Sequence, residues 1–260
     1  MGIPIFQVDA FTDKPFAGNP AAVVFLEKMP DDAWLQSVAL EMNLSETAFL
    51  VPEKDGWRLR WFTPAVEVDL CGHATLASAH VIYENGMPPD FTVRFYTKSG
   101  PLSAVKKGGS IEIDLPLLSL ERTAAPEGLA EAIGLRPAAL ARNGGHYLAE
   151  LSETEVRGLK PDFEKLKALP ISDLIVTSRS AGTYDIVSRV FAPAEGINED
   201  PVTGSAHCAL AYYWRERLGK TEFNAYQASA RGGSMKVAIA GTRVKILAPA
   251  VTIFKGELHL

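Results

Sequence analysis

Two stretches of this chain are apolar around nearly the whole circumference of a helix. Over 73–85 the apolar positions are Ala74, Leu76, Ala77, Ala79, Val81 and Ile82, and over 205–218 they are Ala206, Cys208, Ala209, Leu210, Ala211 and Tyr212. A helix without a polar stripe must be covered on most sides. Each run stops before a glycine, Gly86 or Gly219, the usual C-terminal signal. Short alternating segments at 94–97, 110–115, 185–191, 235–239 and 243–247 read as strands able to wrap these helices. Peripheral helices are predicted at 31–42, 127–133 and 162–169. The first begins after Pro30, with Asp31 and Asp32 favouring the positive end of the helix dipole.

The two buried helices belong to a repeat. Residues 60–65 read Arg-Trp-Phe-Thr-Pro-Ala and residues 189–194 read Arg-Val-Phe-Ala-Pro-Ala. Arg60, Phe62, Pro64 and Ala65 recur 129 positions later as Arg189, Phe191, Pro193 and Ala194. Gly72 and Gly204, at the two helix starts, are 132 apart, so the second copy carries three more loop residues. Duplication of this kind predicts an α+β fold of two pseudo-symmetric halves. Each half would be a curled mixed or antiparallel sheet wrapped round one central helix. The expected domains are 1–118 and 119–250, linked near 116–125, with the C-terminal strand 251–260 as a candidate completion of the first.

Composition narrows the function. The chain is 47% apolar, with 260 residues, ample for a large core or two modest ones. A net charge of -5 and a pI of 5.6 come with no basic stripe, which argues against nucleic acid. No apolar run reaches the roughly 20 residues of a membrane helix. The start of the chain reads directly into a strand, without the basic segment and cleavage site of a signal peptide. Two cysteines make no disulfide framework, and a reducing cytoplasm is expected.

Gly72 and Gly204 both open a helix, where unpaired N–H groups and the dipole favour an anion. Facing ends of this kind would hold a substrate carboxylate, and Gly72-His73-Ala74 and Gly204-Ser205-Ala206 are small enough for close approach. The plainer alternative is that small residues only permit tight helix packing. Asn19, between Gly18 and Pro20, either reaches substrate or holds a turn. Zinc spacing, a Walker loop and a dinucleotide fingerprint are missing. Arg231-Gly232-Gly233-Ser234 is read as a tight turn rather than a phosphate loop.

Five motifs in order carry a family resemblance: Phe6–Thr12 (FQVDAFT), Phe16–Ala22 (FAGNPAA), Asn43–Phe49 (NLSETAF), Leu70–Thr75 (LCGHAT) and Glu199–Ser205 (EDPVTGS). Together they resemble the phenazine-biosynthesis F-type family, from residue 5 to about 255. The resemblance implies the two-halved fold of diaminopimelate epimerase, a homodimer, and an isomerase working without cofactor or metal. It carries the catalytic glutamate over to Glu46 and makes His73, Asp200 and Ser205 active-site partners. It also implies a small carboxylate-bearing substrate, cyclic ones of the trans-2,3-dihydro-3-hydroxyanthranilate type included. On the residues alone, Glu46 follows the Asn43-Leu44-Ser45 turn and starts an apolar strand, where desolvation would favour its protonated form. A solvated strand-end glutamate, a helix-capping His73 and a turn-forming Asp200 are the structural alternatives.

The cysteines separate this chain from a two-thiol epimerase. Cys71 precedes Gly72, but the residue before Gly204 is Thr203, and Cys208 lies inside the second helix, where it reads as a small packing group. A racemase using Cys71 with Glu46 or His73 is the alternative enzyme, and a non-catalytic small-molecule-binding protein is the third reading.

Overall fold

The computed structural model describes residues 2–88 and 90–259. The chain divides into two units, Met1–Leu115 joined by Lys245–Leu260, and Pro116–Val244.

The first unit runs β1 (Ile3–Ala10), β2 (Asn19–Phe25), α1 (Asp32–Met42), β3 (Glu46–Glu53), β4 (Gly56–Phe62), β5 (Glu67–Val68), α2 (Gly72–Glu84), β6 (Val93–Thr97), β7 (Gly100–Lys107) and β8 (Ser110–Pro116). Its pairings alternate: β1–β2 antiparallel, β2–β3 parallel, β3–β4 antiparallel, β4–β6 parallel and β6–β7 antiparallel. The all-round apolar surface of α2 has the predicted consequence, with every residue from Gly72 to Ala79 buried and β1, β2, β3 and β7 packed against it. Helix α1 lies on the other face. The Asp31 side chain accepts from Trp34 N at 2.8 Å, Asn43 ends the helix at φ 50, and Leu35, Val38 and Ala39 pack against Phe49 and Phe62. Alternation along β3 turns Glu46 away from Phe49, toward the face that α2 covers.

The second unit runs β9 (Glu121–Arg122), α3 (Leu129–Ile133), β10 (Ala139–Asn143), β11 (His146–Glu150), α4 (Glu153–Gly158), α5 (Phe163–Lys167), β12 (Asp173–Arg179), β13 (Ile186–Ala192), a 3-10 turn (Pro193–Glu195), β14 (Ile197–Asp200), α6 (Gly204–Leu218), β15 (Glu222–Gln227) and β16 (Gly233–Ala240), and β17 (Arg243–Ala248) crosses into the first unit at Lys245. The same alternation recurs through β10, β11, β12, β13, β15 and β16. Helix α6 is anchored by Tyr213 Oη donating to Glu150 Oε2 at 2.6 Å and Trp214 Nε1 donating to Thr177 Oγ1 at 3.1 Å. The short helices α3–α5 cover the opposite face over Leu174, Val176 and Phe191. Helix α3 starts two residues later than the pattern suggests, because Gly128 holds a left-handed turn at φ 86. The chain then returns to the first unit, where β17 pairs with β8 and β18 (Ala250–Leu258) runs antiparallel to β1.

The repeat extends from strand order to side-chain pairing. Arg60 grips Glu67 with two hydrogen bonds of 2.7 Å, and Arg189 grips Glu199 with bonds of 2.7 and 3.0 Å. Each guanidinium also lies over a phenylalanine, Phe62 at 5.1 Å and Phe191 at 4.9 Å. The three added residues of the second copy fall between Ala194 and Glu199, where Gly196 turns the chain at φ 87.

Candidate active site

In the first unit, three strand and helix starts bring the site together. Parallel pairing sets Ala21 of β2 beside Glu46 of β3, so Asn19 and Glu46 lie at the same end of neighbouring strands. Helix α2 begins at Gly72 and presents His73 in its first turn. Glu46 Oε2 lies 3.0 Å from His73 Nε2. The distance is that of an ion pair, but the alignment is not that of a hydrogen bond, and neither atom makes one elsewhere among the described residues. On the other edge of the ring, Nδ1 meets Asn19 Nδ2 at 3.2 Å and Cys71 Sγ at 3.5 Å. The end of the amide that faces Nδ1 follows the ring's protonation, its NH₂ donating to a bare nitrogen and its carbonyl accepting from a protonated one.

Burial works against a charged ring at His73, yet Cys71 and Glu46 together hold it well above the usual imidazole range. For Cys71, burial comes first and the Glu46 charge second, and both push the thiol up, with His73 opposing them.

Helix α2 starts after Cys71 without an oxygen-bearing side-chain cap, and the Cys71 sulfur meets His73 Nδ1. Its first N–H groups are thus left for an anion. Glu46, Cys71 and His73 place their polar atoms within 4.8 Å of one another. They are a poor metal set, since sulfur and carboxylate flank opposite nitrogens of one ring instead of converging on a single point.

In the second unit, the loop before α6 is knitted by Gln227, which is fully buried. Its amide donates to Asp200 O at 2.8 Å and accepts from Thr203 N at 2.9 Å. Thr203 Oγ1 donates to Asp200 Oδ2, so Asp200 is tied to the residue preceding Gly204. This helix also begins without a side-chain cap. His207 Nδ1 bonds to Thr203 O at 2.8 Å, and burial lowers its pKa to about 4, which keeps the ring neutral and donating. Gly232 turns at φ 64 and its N–H donates to Ser229 Oγ at 3.1 Å. Ser229 Oγ in turn donates to Pro201 O at 2.6 Å, so the glycine turn lies against the Asp200 loop. Cys208 is buried inside α6.

One pair escaped the sequence reading. Thr47 pairs with Phe62 and Leu174 with Phe191, so Asp173 holds in the second unit the place of Glu46 in the first. Its Oδ2 meets His146 Nδ1 at 2.8 Å. The correspondence shows in strand register and not in residue identity.

A family model described as phenazine biosynthesis-like protein matches residues 8–256. The chain belongs to the phenazine biosynthesis-like family. Among its relatives, a Halalkalibacterium halodurans protein named as an uncharacterized isomerase is 52% identical, with each chain covered over 100% of its length. A crystal structure of a PhzF-family phenazine biosynthesis protein from Enterococcus faecalis has a TM-score of 0.94 and 43% identity, covering 100% of both chains. The fold alone is shared with a hydroxyproline epimerase from Agrobacterium vitis, at a TM-score of 0.67 and 14% identity over 99% of this chain and 92% of that one. The α+β fold of this family is thus an epimerase-type fold. No helix among the described residues is long and apolar enough to cross a membrane.

Proposed function

We propose that this protein is an isomerase that shifts a proton on a small carboxylate-bearing substrate, with Glu46 as acid and base. The observation that carries the reading is the buried Glu46–His73 contact of 3.0 Å beside the uncapped start of α2. The N–H groups of that turn, Gly72 among them, receive the substrate carboxylate. Glu46 takes a proton from carbon conjugated to the carboxylate and returns it at another carbon. His73 orients Glu46 and offsets its charge, and Asn19 holds the far edge of the ring. The motif resemblance and the isomerase naming of a relative 52% identical support the reaction class. Cyclic substrates of the dihydrohydroxyanthranilate type are the first candidates. The family resemblance assigns Asp200 and Ser205 to the same reaction.

The test is a panel of small cyclic and acyclic carboxylates, including dihydrohydroxyanthranilate, followed by proton NMR. Appearance of a double-bond isomer of one compound supports the reading. Inversion at a single carbon without double-bond movement would favour a racemase using Cys71.

A further inference from the structure

His73 is touched on each edge of its ring by a group able to hold a proton. Glu46 Oε2 lies 3.0 Å from Nε2 and Cys71 Sγ lies 3.5 Å from Nδ1. The cluster is secluded, with the side chains of His73 and Glu46 only 4% and 13% exposed and Cys71 5% exposed. Cysteine is no natural N-cap, and this one caps nothing. Its sulfur lies between the imidazole and the first turn of the helix, close to both His73 Nδ1 and the Ala74 N–H.

We propose that Cys71, His73 and Glu46 form one proton relay, in which the thiol is a second proton store for the carboxylate. The use of the relay rests on the isomerase reading, but its existence does not. The step balances with no further reactant. The relay runs through the neutral ring and the ionised thiol: a proton on Glu46 Oε2 passes to His73 Nε2 while the Nδ1 proton passes to the Cys71 thiolate, and the imidazolium, protonated at both nitrogens, is its resting form. The products are a carboxylate, a ring protonated at Nε2 and a thiol, and only bonds to hydrogen change. In reverse, the thiol loads Glu46. Cys71 is a positioning and relay residue here, acting on substrate only through Glu46. Its benefit is that the proton removed at one carbon and the proton returned at another need not be the same, even in a pocket closed to bulk water.

The geometry requires the two ends to sense each other. The Glu46 charge opposes ionisation of Cys71 and the imidazolium favours it. Discharging Glu46 should therefore release the thiolate. Ultraviolet thiolate absorbance against pH reads this directly, with Cys71→Ala subtracted at each pH to remove Cys208 and the tyrosines. In Glu46→Gln the Cys71 pKa should fall by about one unit or more, roughly tenfold more thiolate at a given pH below it. Glu46→Asp keeps the charge and should titrate nearly as the wild type, which separates charge from altered folding. Adding His73→Asn to Glu46→Gln should push the thiol back up. A Glu46→Gln thiol that titrates at the wild-type pH, or one indifferent to His73→Asn, overturns the relay.

No substrate is needed for that titration, so the isomerase reading can fail while the relay stands. With a substrate in hand, Cys71→Ala in D₂O should retain more of the substrate's own proton in product. Equal washout in variant and wild type would overturn the relay even if the titrations couple.

Discussion

The duplicated arginine–glutamate grips offer an internally controlled stability experiment. Arg189→Ala leaves Glu199 without its guanidinium and removes the donors to Val156 O at 3.2 Å and Leu159 O at 2.7 Å. Breaking one side of a buried pair costs about 3–5 kcal/mol. The side chains here are 11% and 21% exposed, so the lower end of that range applies. The two carbonyl bonds add about 1 kcal/mol together after partial rehydration, for a total near ~4 kcal/mol. Arg60→Ala removes the matching pair, but Glu67 keeps Lys98 as a partner. The other partner of Arg60, Asp32, is 76% exposed and contributes little. The expected cost is about 2 kcal/mol. Urea unfolding measures both, and the tryptophans report by unit: Trp34, Trp57 and Trp61 lie in the first and Trp214 in the second. Arg189→Ala should shift the Trp214 transition by about twice the free energy that Arg60→Ala takes from the first unit. Equal losses, or a larger loss for Arg60→Ala, would refute the reasoning.

Further outcomes follow from single contacts. His207 is held neutral at about 4 by burial, below its unfolded value, so stability present above about pH 6.5 is lost as pH falls toward the folded value. His207→Gln should flatten that loss, measured as the urea midpoint across this range. Glu67 is held below the ordinary carboxylate range, first by Arg60 and also by Lys98 against its burial. Its contribution is present above the unfolded pKa and fades as pH falls through the folded one, so Arg60→Ala should lose less stability on acidification than wild type. Gly18 turns at φ +65, and a Cβ there would sit 2.0 Å from Ala10 O. Gly18→Ala should cost about 2 kcal/mol or more and, by moving Asn19, shift the His73 ring resonances in NMR.

The all-round apolar runs located α2 and α6 because their length and glycine stops exceed what a buried strand shows. Gly219 marks the observed end of α6, at φ 63. Helix α1 was legible through Pro30 and the Asp31-Asp32 pair, and Asp31 is its cap. Helix α4 was overlooked although Ser152 and Glu155 form a capping box, because with six residues it is too short to show a period. The Arg-Phe-Pro-Ala repeat pointed to duplication, and the strand register extended it to places where identities have diverged, Glu46 against Asp173. What pattern could not show was contact: Glu46 and His73 are 27 positions apart, and only the parallel β2–β3 pairing and the start of α2 bring them within 3.0 Å. Gln227 was illegible for the same reason, as a lone amide in a strand gives no hint of the loop it ties.

The central claim is that Glu46 moves the proton. Its most direct measurement is loss of carbon-bound protons from substrate in D₂O, followed by NMR for wild type and for Glu46→Gln of matched fold. Exchange should fall at least ~100-fold from wild type to variant, the usual scale for removing a general acid/base. Undiminished exchange and turnover in Glu46→Gln would contradict it.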